Sequence, residues 1–263
     1  MCVCIHVADY TQDSRDENPV YRASSPNPQG ICCETKQKTG QARCKSYNHG
    51  MKKTLIIGAS GGIGQAMAQA ASGDAVTTLS RRDDGFDVTN PESVDRALGA
   101  LGGPFDLIFV ALGILGTPEK SLAAIDAKAM QEVFAVNTIG PALILRHVPR
   151  LLAPQGKIAV LSARVGSIGD NHIGGWHSYR ASKAALNQII HGAAIELVRT
   201  HKGSVCVALH PGTVATPFTA KYAGRHVTVT PQEAAANLSA VIAGLTPAQT
   251  GQFFDFAGKP IPW

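Results

Sequence analysis

Tyr179 and Lys183 stand four residues apart in His177-Ser178-Tyr179-Arg180-Ala181-Ser182-Lys183, at the head of a helical pattern through Leu186, Ile190, Ala194 and Leu197. Four-residue spacing puts both side chains on one helix face. A tyrosine with a pKa near 10 is a poor acid–base at neutral pH. A cation about 4 Å away, at an effective dielectric near 20, contributes up to roughly 4 kcal/mol, or about three pK units at most. Such a pair could exchange a proton with a carbonyl or an alcohol. Alone the pair says little, because many helices carry a Tyr and a Lys at this spacing.

A second group of residues is suited to phosphate. The apolar run Thr54-Leu55-Ile56-Ile57 leads into Gly58-Ala59-Ser60-Gly61-Gly62-Ile63-Gly64, and a helical stretch from Gln65 to Ala71 follows. Glycines allow a sharp turn and a close approach to a pyrophosphate, and the helix N-terminus offers free N–H groups. The spacing Gly58-x-x-x-Gly62-x-Gly64 differs from the common dinucleotide fingerprint, but its place between a buried strand and a helix gives it weight. The next strand ends at Ser80-Arg81-Arg82, with no acid before Asp83. An acid near this point serves a ribose 2′-hydroxyl, whereas arginine accommodates a 2′-phosphate. Arg81 therefore favours NADP(H), with NAD(H) left open; the bland alternative is a solvated strand end.

These residues need a scaffold, and the rest of the sequence supplies one. Apolar stretches at 75–79 and 107–110 alternate with helical ones, and Asn90-Pro91 is a sound helix start. Repeated β-α-β units imply a parallel sheet with helices on both faces. The reading is a single α/β domain over 51–263, a doubly wound sheet of about seven strands. Of the 263 residues, 44% are hydrophobic and 16% charged, ample for one core. No apolar run is long enough for a membrane span. The net charge of +5 is spread out, without the basic stripe that nucleic acid requires. Cys206 is the one cysteine after residue 50, which suits a reducing cytoplasm. Metal binding is disfavoured as well, since His172 and His177 have no acid at ligand spacing.

Residues 1–50 differ in kind. They are polar, interrupted by Pro19, Pro26, Pro28, Gly30 and Gly40, and lack hydrophobic periodicity. Disorder is the expectation there, as a dispensable tail or an upstream misassigned start. Neither a signal peptide nor a transit peptide fits. Cys2, Cys4, Cys32 and Cys33 match no structural zinc spacing.

Taken together, the glycine turn and the Tyr179/Lys183 pair resemble the short-chain dehydrogenase/reductase family, and the resemblance covers essentially all of 51–263. It implies a Rossmann-type fold and hydride transfer between NADP(H) and a small carbonyl or secondary alcohol. Gly58, Gly62 and Gly64, with Ser60 and Ile63 in the same turn, match the cofactor loop. Asp87-Val88 match the adenine-contacting position, and Gly113 is the one residue kept of the glycine motif after the third strand. Asn137 matches the asparagine that holds a proton-relay water. Tyr179 and Lys183 match the catalytic pair, and Lys183 also holds the ribose. Pro211, Gly212, Val214 and Thr216 fall where the family meets the nicotinamide. Gly166-Ser167-Ile168, Gly174-Gly175-Trp176 and the ending Gly258-Lys259-Pro260-Ile261-Pro262-Trp263 resemble its C-factor/sniffer-like carbonyl reductase branch.

Two positions depart from the pattern. The family's Asn-Asn-Ala-Gly reads Val110-Ala111-Leu112-Gly113, and the position of its catalytic serine is Ala163. Ser162 is the first candidate replacement and Ser167 the second, with a third outcome in which neither serves. Ala163 favours a rival reading, a cofactor-binding regulatory or signalling protein that has lost turnover, and the intact Tyr179/Lys183 pair opposes it. An NAD-linked dehydrogenase is the other rival. The substrate and the oligomeric state are not written in the sequence, so a homo-oligomer stays open. Trp176 could shape the substrate pocket or anchor a loop.

Overall fold

A computed structural model describes residues 33–35, 42–44, 51–220 and 228–263. The chain divides into two compact units, Met1–Gly50 and Met51–Trp263. In the first, β1 (Cys33–Thr35) and β2 (Ala42–Cys44) pair antiparallel, Cys33 opposite Cys44. The expected disorder of 1–50 otherwise lies outside the described residues.

The second unit holds a six-stranded parallel sheet in the order β4-β3-β5-β6-β7-β8. Its strands are β3 (Lys53–Ile57), β4 (Ala75–Leu79), β5 (Phe105–Val110), β6 (Leu152–Leu161), β7 (Val205–His210) and β8 (Phe253–Asp255). That is one strand fewer than about seven. Between β4 and β5 the chain makes only α2 (Arg81–Asp84) and α3 (Pro91–Gly99), and among the described residues no strand is added beyond β4.

Alternation along each strand divides the core between two faces. Leu55 and Ile57 join Val110, Ile158 and Leu186 on one side of the sheet. Ile56 joins Phe109, Ala159 and Val207 on the other. Both faces are buried, which is why β3 and β7 read as continuous apolar runs. Each of the larger side chains contributes about 1.5–3 kcal/mol when fully removed from water. Of the helices, α1 (Gly62–Ala70) packs against α8 (Pro231–Gly244). On the opposite face lie α5 (Gly140–Leu145), the short α6 (Val148–Leu151) and the long α7 (His177–Leu197), while α4 (Ala127–Phe134) packs on α7.

Local chemistry sets several helix boundaries. Asn90 caps α3, its side chain accepting from the Ser93 amide at 3.1 Å, with Pro91 next, as expected. Thr230 and Glu233 form the expected capping box of α8. One feature is not foreseen by periodicity: a π-helical turn, Ala135–Ile139, separates α4 from α5. Pro141 has no N–H to give the Asn137 carbonyl, so the α-helical ladder cannot continue there. It widens instead, with the Gly140 amide donating to the Ala135 carbonyl. Such turns recur at functional sites.

Candidate active site

At the carboxyl end of β3, with β4 on one side and β5 on the other, the chain turns through the glycine run into α1. Ligands of open α/β sheets bind at such a switch point. Gly58 has φ +88°, and a Cβ there would lie 2.4 Å from the Ala111 carbonyl oxygen. A Cβ on Gly64 would lie 2.2 Å from the Gly58 oxygen, and one on Gly62 would lie 2.8 Å from Thr216 Cγ2. The three glycines therefore fold the turn onto itself and onto Thr216. The N-cap of α1 is Gly61, which has no side chain to cap the first amides. Ser60 and Ile63, both half-buried, border this helix end. The cradle has the shape and the donors for a pyrophosphate.

The β4 end carries the residues that would meet the adenosine. Ser80 Oγ donates to Asp83 at 2.9 Å, and Arg82 pairs with Asp83 at 2.8 Å. Asp84 accepts from the Ser80 amide at 2.8 Å. Both acids after the arginines are thus turned onto Ser80, while exposed Arg81 makes no ion pair among the described residues. Asp87 accepts from the Thr89 hydroxyl at 2.7 Å and its amide at 2.9 Å, and these bonds hold its carboxyl below the usual range. Val88 is buried, and Gly140 at the start of α5 is where a Cβ would strike it, 2.3 Å from Val88 Cγ2.

The candidate reacting groups lie on α7. Tyr179 is 7% exposed and Lys183 is 2% exposed, both on the buried face of the helix. Lys183 Nζ donates to the Leu161 carbonyl at 3.0 Å, at the end of β6, and to the Leu112 carbonyl at 3.4 Å, just past β5. A Cβ on Gly113 would sit 3.4 Å from both Lys183 Nζ and Asn137 Oδ1. Asn137, fully buried on the π turn, accepts from the Ile114 amide at 2.8 Å and donates to the Ile114 carbonyl at 2.9 Å. Its Nδ2 also donates to Ser182 Oγ at 3.0 Å. Gly113, Asn137 and Lys183 are therefore brought together.

Tyr179 lies among apolar groups. Val133 and Ala163 pack with it, the Trp176 ring stands edge-on at 6.3 Å, and the Phe218 ring lies at 6.0 Å. Burial pushes its phenol above the ordinary range and pulls the Lys183 ammonium down to about 7. In the protein alone, desolvation thus outweighs any help the lysine gives the phenol, and the lysine sits on backbone carbonyls.

Neighbouring residues of an extended chain face opposite ways. Ala163 faces Tyr179, while Ser162 Oγ donates to Asn187 Oδ1 at 2.6 Å. Asn187 is eight residues along α7 from Tyr179, about 12 Å at 1.5 Å per residue. Ser167 donates to the Pro262 carbonyl and accepts from the Asp170 amide at 3.1 Å. Of the two candidate serines, Ser162 is thus turned to Asn187 and Ser167 to the Pro262 carbonyl and the Asp170 amide, and no hydrogen bond joins either hydroxyl to Tyr179 among the described residues.

Downstream, Gly212 turns the chain after β7 with φ +78°, following Pro211. Val214 bridges Val229 and brings Thr216 against the glycine cradle. Four participants escape sequence reasoning: Glu119, Thr138, Ser182 and Phe218. Ser182 lies within the His177–Lys183 heptapeptide and carried a signal. Its Oγ donates to the Tyr179 carbonyl at 2.8 Å, and Thr138 Oγ1 donates to the Ser182 carbonyl at 2.8 Å. Glu119 caps α7 from a distant loop and has no local signature.

Comparison with known proteins gives the family. A family model described as Enoyl-(Acyl carrier protein) reductase matches residues 84–249, which include Asn137, Tyr179 and Lys183. The 1-hydroxy-2-glutathionyl-2-methyl-3-butene dehydrogenase of a Rhodococcus species is 32% identical over 236 residues, 81% of this chain and 100% of that protein. The C-signal protein of Myxococcus xanthus is 34% identical over 166 residues, 61% of this chain and 94% of its own length. Among solved structures, a Pseudomonas aeruginosa carbonyl reductase in complex with NADP matches with a TM-score of 0.68 at 25% identity, covering 81% of this chain and 100% of that one. Carbonyl reductase Sniffer of D. melanogaster, at 21% identity and a TM-score of 0.69, shares the fold over 81% of this chain and 100% of its own. With its parallel sheet, glycine cradle and Tyr179/Lys183 helix, the chain belongs to the short-chain dehydrogenase/reductase family of NAD(P)-dependent oxidoreductases.

Proposed function

We propose that the protein is an NADP(H)-dependent reductase of small carbonyl compounds, acting reversibly on the matching secondary alcohols. The observation that carries this reading is the convergence of Asn137 and Gly113 on Lys183, which shares helix α7 with Tyr179, next to the glycine cradle. A nicotinamide dinucleotide bound there supplies or accepts the hydride. Gly58, Gly62 and Gly64 admit its pyrophosphate to the α1 N-terminus, and Arg81 meets a 2′-phosphate. Pro211, Gly212, Val214 and Thr216 border the nicotinamide end. Tyr179 gives the proton to the substrate oxygen or takes it back. Lys183 orients the ribose and favours the phenolate when charged, and Asn137 holds its loop so that a water can refill the proton.

The NADP complexes of the Pseudomonas aeruginosa and Burkholderia multivorans relatives support the phosphorylated cofactor. A reducing cytoplasm fits the buried thiol of Cys206, and among the described residues no helix is long and apolar enough to cross a membrane. A homo-oligomer remains compatible with the fold. One observation favours a second reading, a cofactor-binding signalling protein without turnover: Ala163 leaves a methyl group beside Tyr179.

Oxidation of NADPH and NADH against a panel of aldehydes and ketones separates the readings. The reductase reading expects turnover that prefers NADPH and is lost in Tyr179→Phe, with NADPH affinity within about twofold. Arg81→Asp should weaken NADPH far more than NADH. NADPH binding without turnover on any panel member would favour the signalling reading, and equal losses in Arg81→Asp would remove the 2′-phosphate assignment.

A further inference from the structure

Helix α7 begins without a cap of its own. Its N-cap residue is Trp176, whose indole donates but does not accept, and whose backbone is left-handed at φ 53°, ψ 40°. Gly174 and Gly175 precede it at φ +68° and +65°, so three successive residues are left-handed. Glycine adopts that conformation freely, whereas Trp176 has a Cβ and keeps it only where its surroundings hold it.

What holds it is Glu119. The Glu119 carbonyl accepts the Trp176 amide at 2.7 Å. Its carboxylate takes the Ser178 amide at 3.2 and 3.3 Å and also accepts the Ser178 hydroxyl. Ser178 is the second residue of the helix, whose amide a capping side chain ordinarily satisfies. Arg180 completes the grip by donating Nε to the Gly175 carbonyl at 3.0 Å. Glu119 is only 6% exposed, and a buried carboxylate without partners is costly. Burial raises its pKa, but the Ser178 hydroxyl, the Glu119 and Ser178 backbone amides and, least, the nearby His177 outweigh that, and the net position is below the ordinary carboxylate value. The positive end of the α7 dipole favours the same charge.

We infer that Glu119 is a positioning residue for the reaction, fixing the first turn of α7 and, through Trp176 and Ser178, the placement of Tyr179. Tyr179 is the third residue of the helix, directly after Ser178, and its ring rests against the Trp176 edge. The loop from Gly113 to Glu119 is held at both ends, by Asn137 on Ile114 and by Glu119 on α7. The two grips tie the β5 loop to the helix that carries the phenol, with Lys183 one turn further on. This inference rests on the reading of Tyr179 as the proton donor.

The experiment compares Glu119→Ala, Glu119→Gln, Ser178→Ala and Tyr179→Phe in the full chain. Turnover is measured with whichever aldehyde of the panel the unmodified protein reduces fastest, NADPH affinity by cofactor fluorescence, and amide exchange of residues 177–183 without substrate. Glu119→Ala should lower kcat at least tenfold, leave NADPH Kd within twofold, and speed exchange in the first turn of α7. Glu119→Gln, whose amide oxygen still accepts from Ser178, should keep at least half of kcat, and Ser178→Ala should fall between. Wild-type kcat and exchange in Glu119→Ala would overturn the inference. Equal losses of kcat and NADPH affinity in both Glu119 variants would also overturn it, as the mark of a general folding defect. Retained turnover in Tyr179→Phe would instead sink the reading of Tyr179, while amide exchange would still judge the cap.

Discussion

Beside the Tyr179 phenol, Ala163 presents a methyl group where a hydroxyl would give the substrate oxygen a second hydrogen bond. Removing one such donor from a site that uses it costs about 10²–10³ in kcat. Ala163→Ser should therefore raise kcat by about tenfold or more, with NADPH affinity unchanged. An unchanged or lower kcat would mean that the substrate oxygen lies elsewhere. Ser162→Ala provides the contrast, since its hydroxyl serves Asn187 inside the protein. It should leave kcat within twofold but strand a buried acceptor, at about 1–3 kcal/mol, or several degrees of melting temperature. At this scale, residue type and spacing made Tyr179, Lys183 and the glycines legible, because each is needed for a property of its own atoms. The partner of Ser162 was not legible, for it depends on which way one residue faces at the end of a strand. Glu119 was less so still, because 59 residues separate it from the hydroxyl it holds.

Strands and helices were more readable, and their ends less so. Apolar runs and helix-start residues placed β3, α3 and α8 because burial and capping act locally. The missing seventh strand and the π turn depend on sheet edges and on one absent N–H, which periodicity does not report. The end of β7 has a consequence that can be measured. There His210 has a buried Nδ1 with no hydrogen-bond partner among the described residues. Burial, with a smaller contribution from Arg164 and against the pull of Asp255, lowers its pKa from 6.5 to about 4. Between those values the unfolded chain binds more protons than the folded one, so stability falls as pH drops from 6.5 towards 4. The carboxylates held below their ordinary values, Glu119 and Asp87 among them, lose their contributions only at lower pH. Melting temperature should therefore decline by several degrees between pH 6.5 and 4.5, and His210→Leu should flatten that decline. An identical slope in the variant would show that His210 is not the group responsible.

For the whole molecule the question is how much chain the fold and chemistry require. Among the described residues, all three core clusters, the six strands of the parallel sheet and every candidate site residue lie within Met51–Trp263. β3 starts at Lys53, two residues after Met51, and the cradle begins at Gly58. Residues 1–50 lack the apolar periodicity of a core, and ordering a residue costs roughly 1–2 kcal/mol of backbone entropy. We therefore expect a chain beginning at Met51 to melt within about 2 °C of the full chain, where 1 kcal/mol corresponds to roughly 2–4 °C at this size. Its NADPH Kd and kcat should agree within twofold. Calorimetry and cofactor titration on the two chains side by side decide the matter. A shortened chain that melted much lower with cofactor affinity intact would assign residues 1–50 to the fold. One that kept its melting temperature but lost NADPH would assign them to the cofactor site, since the sheet beneath the cradle would still be standing.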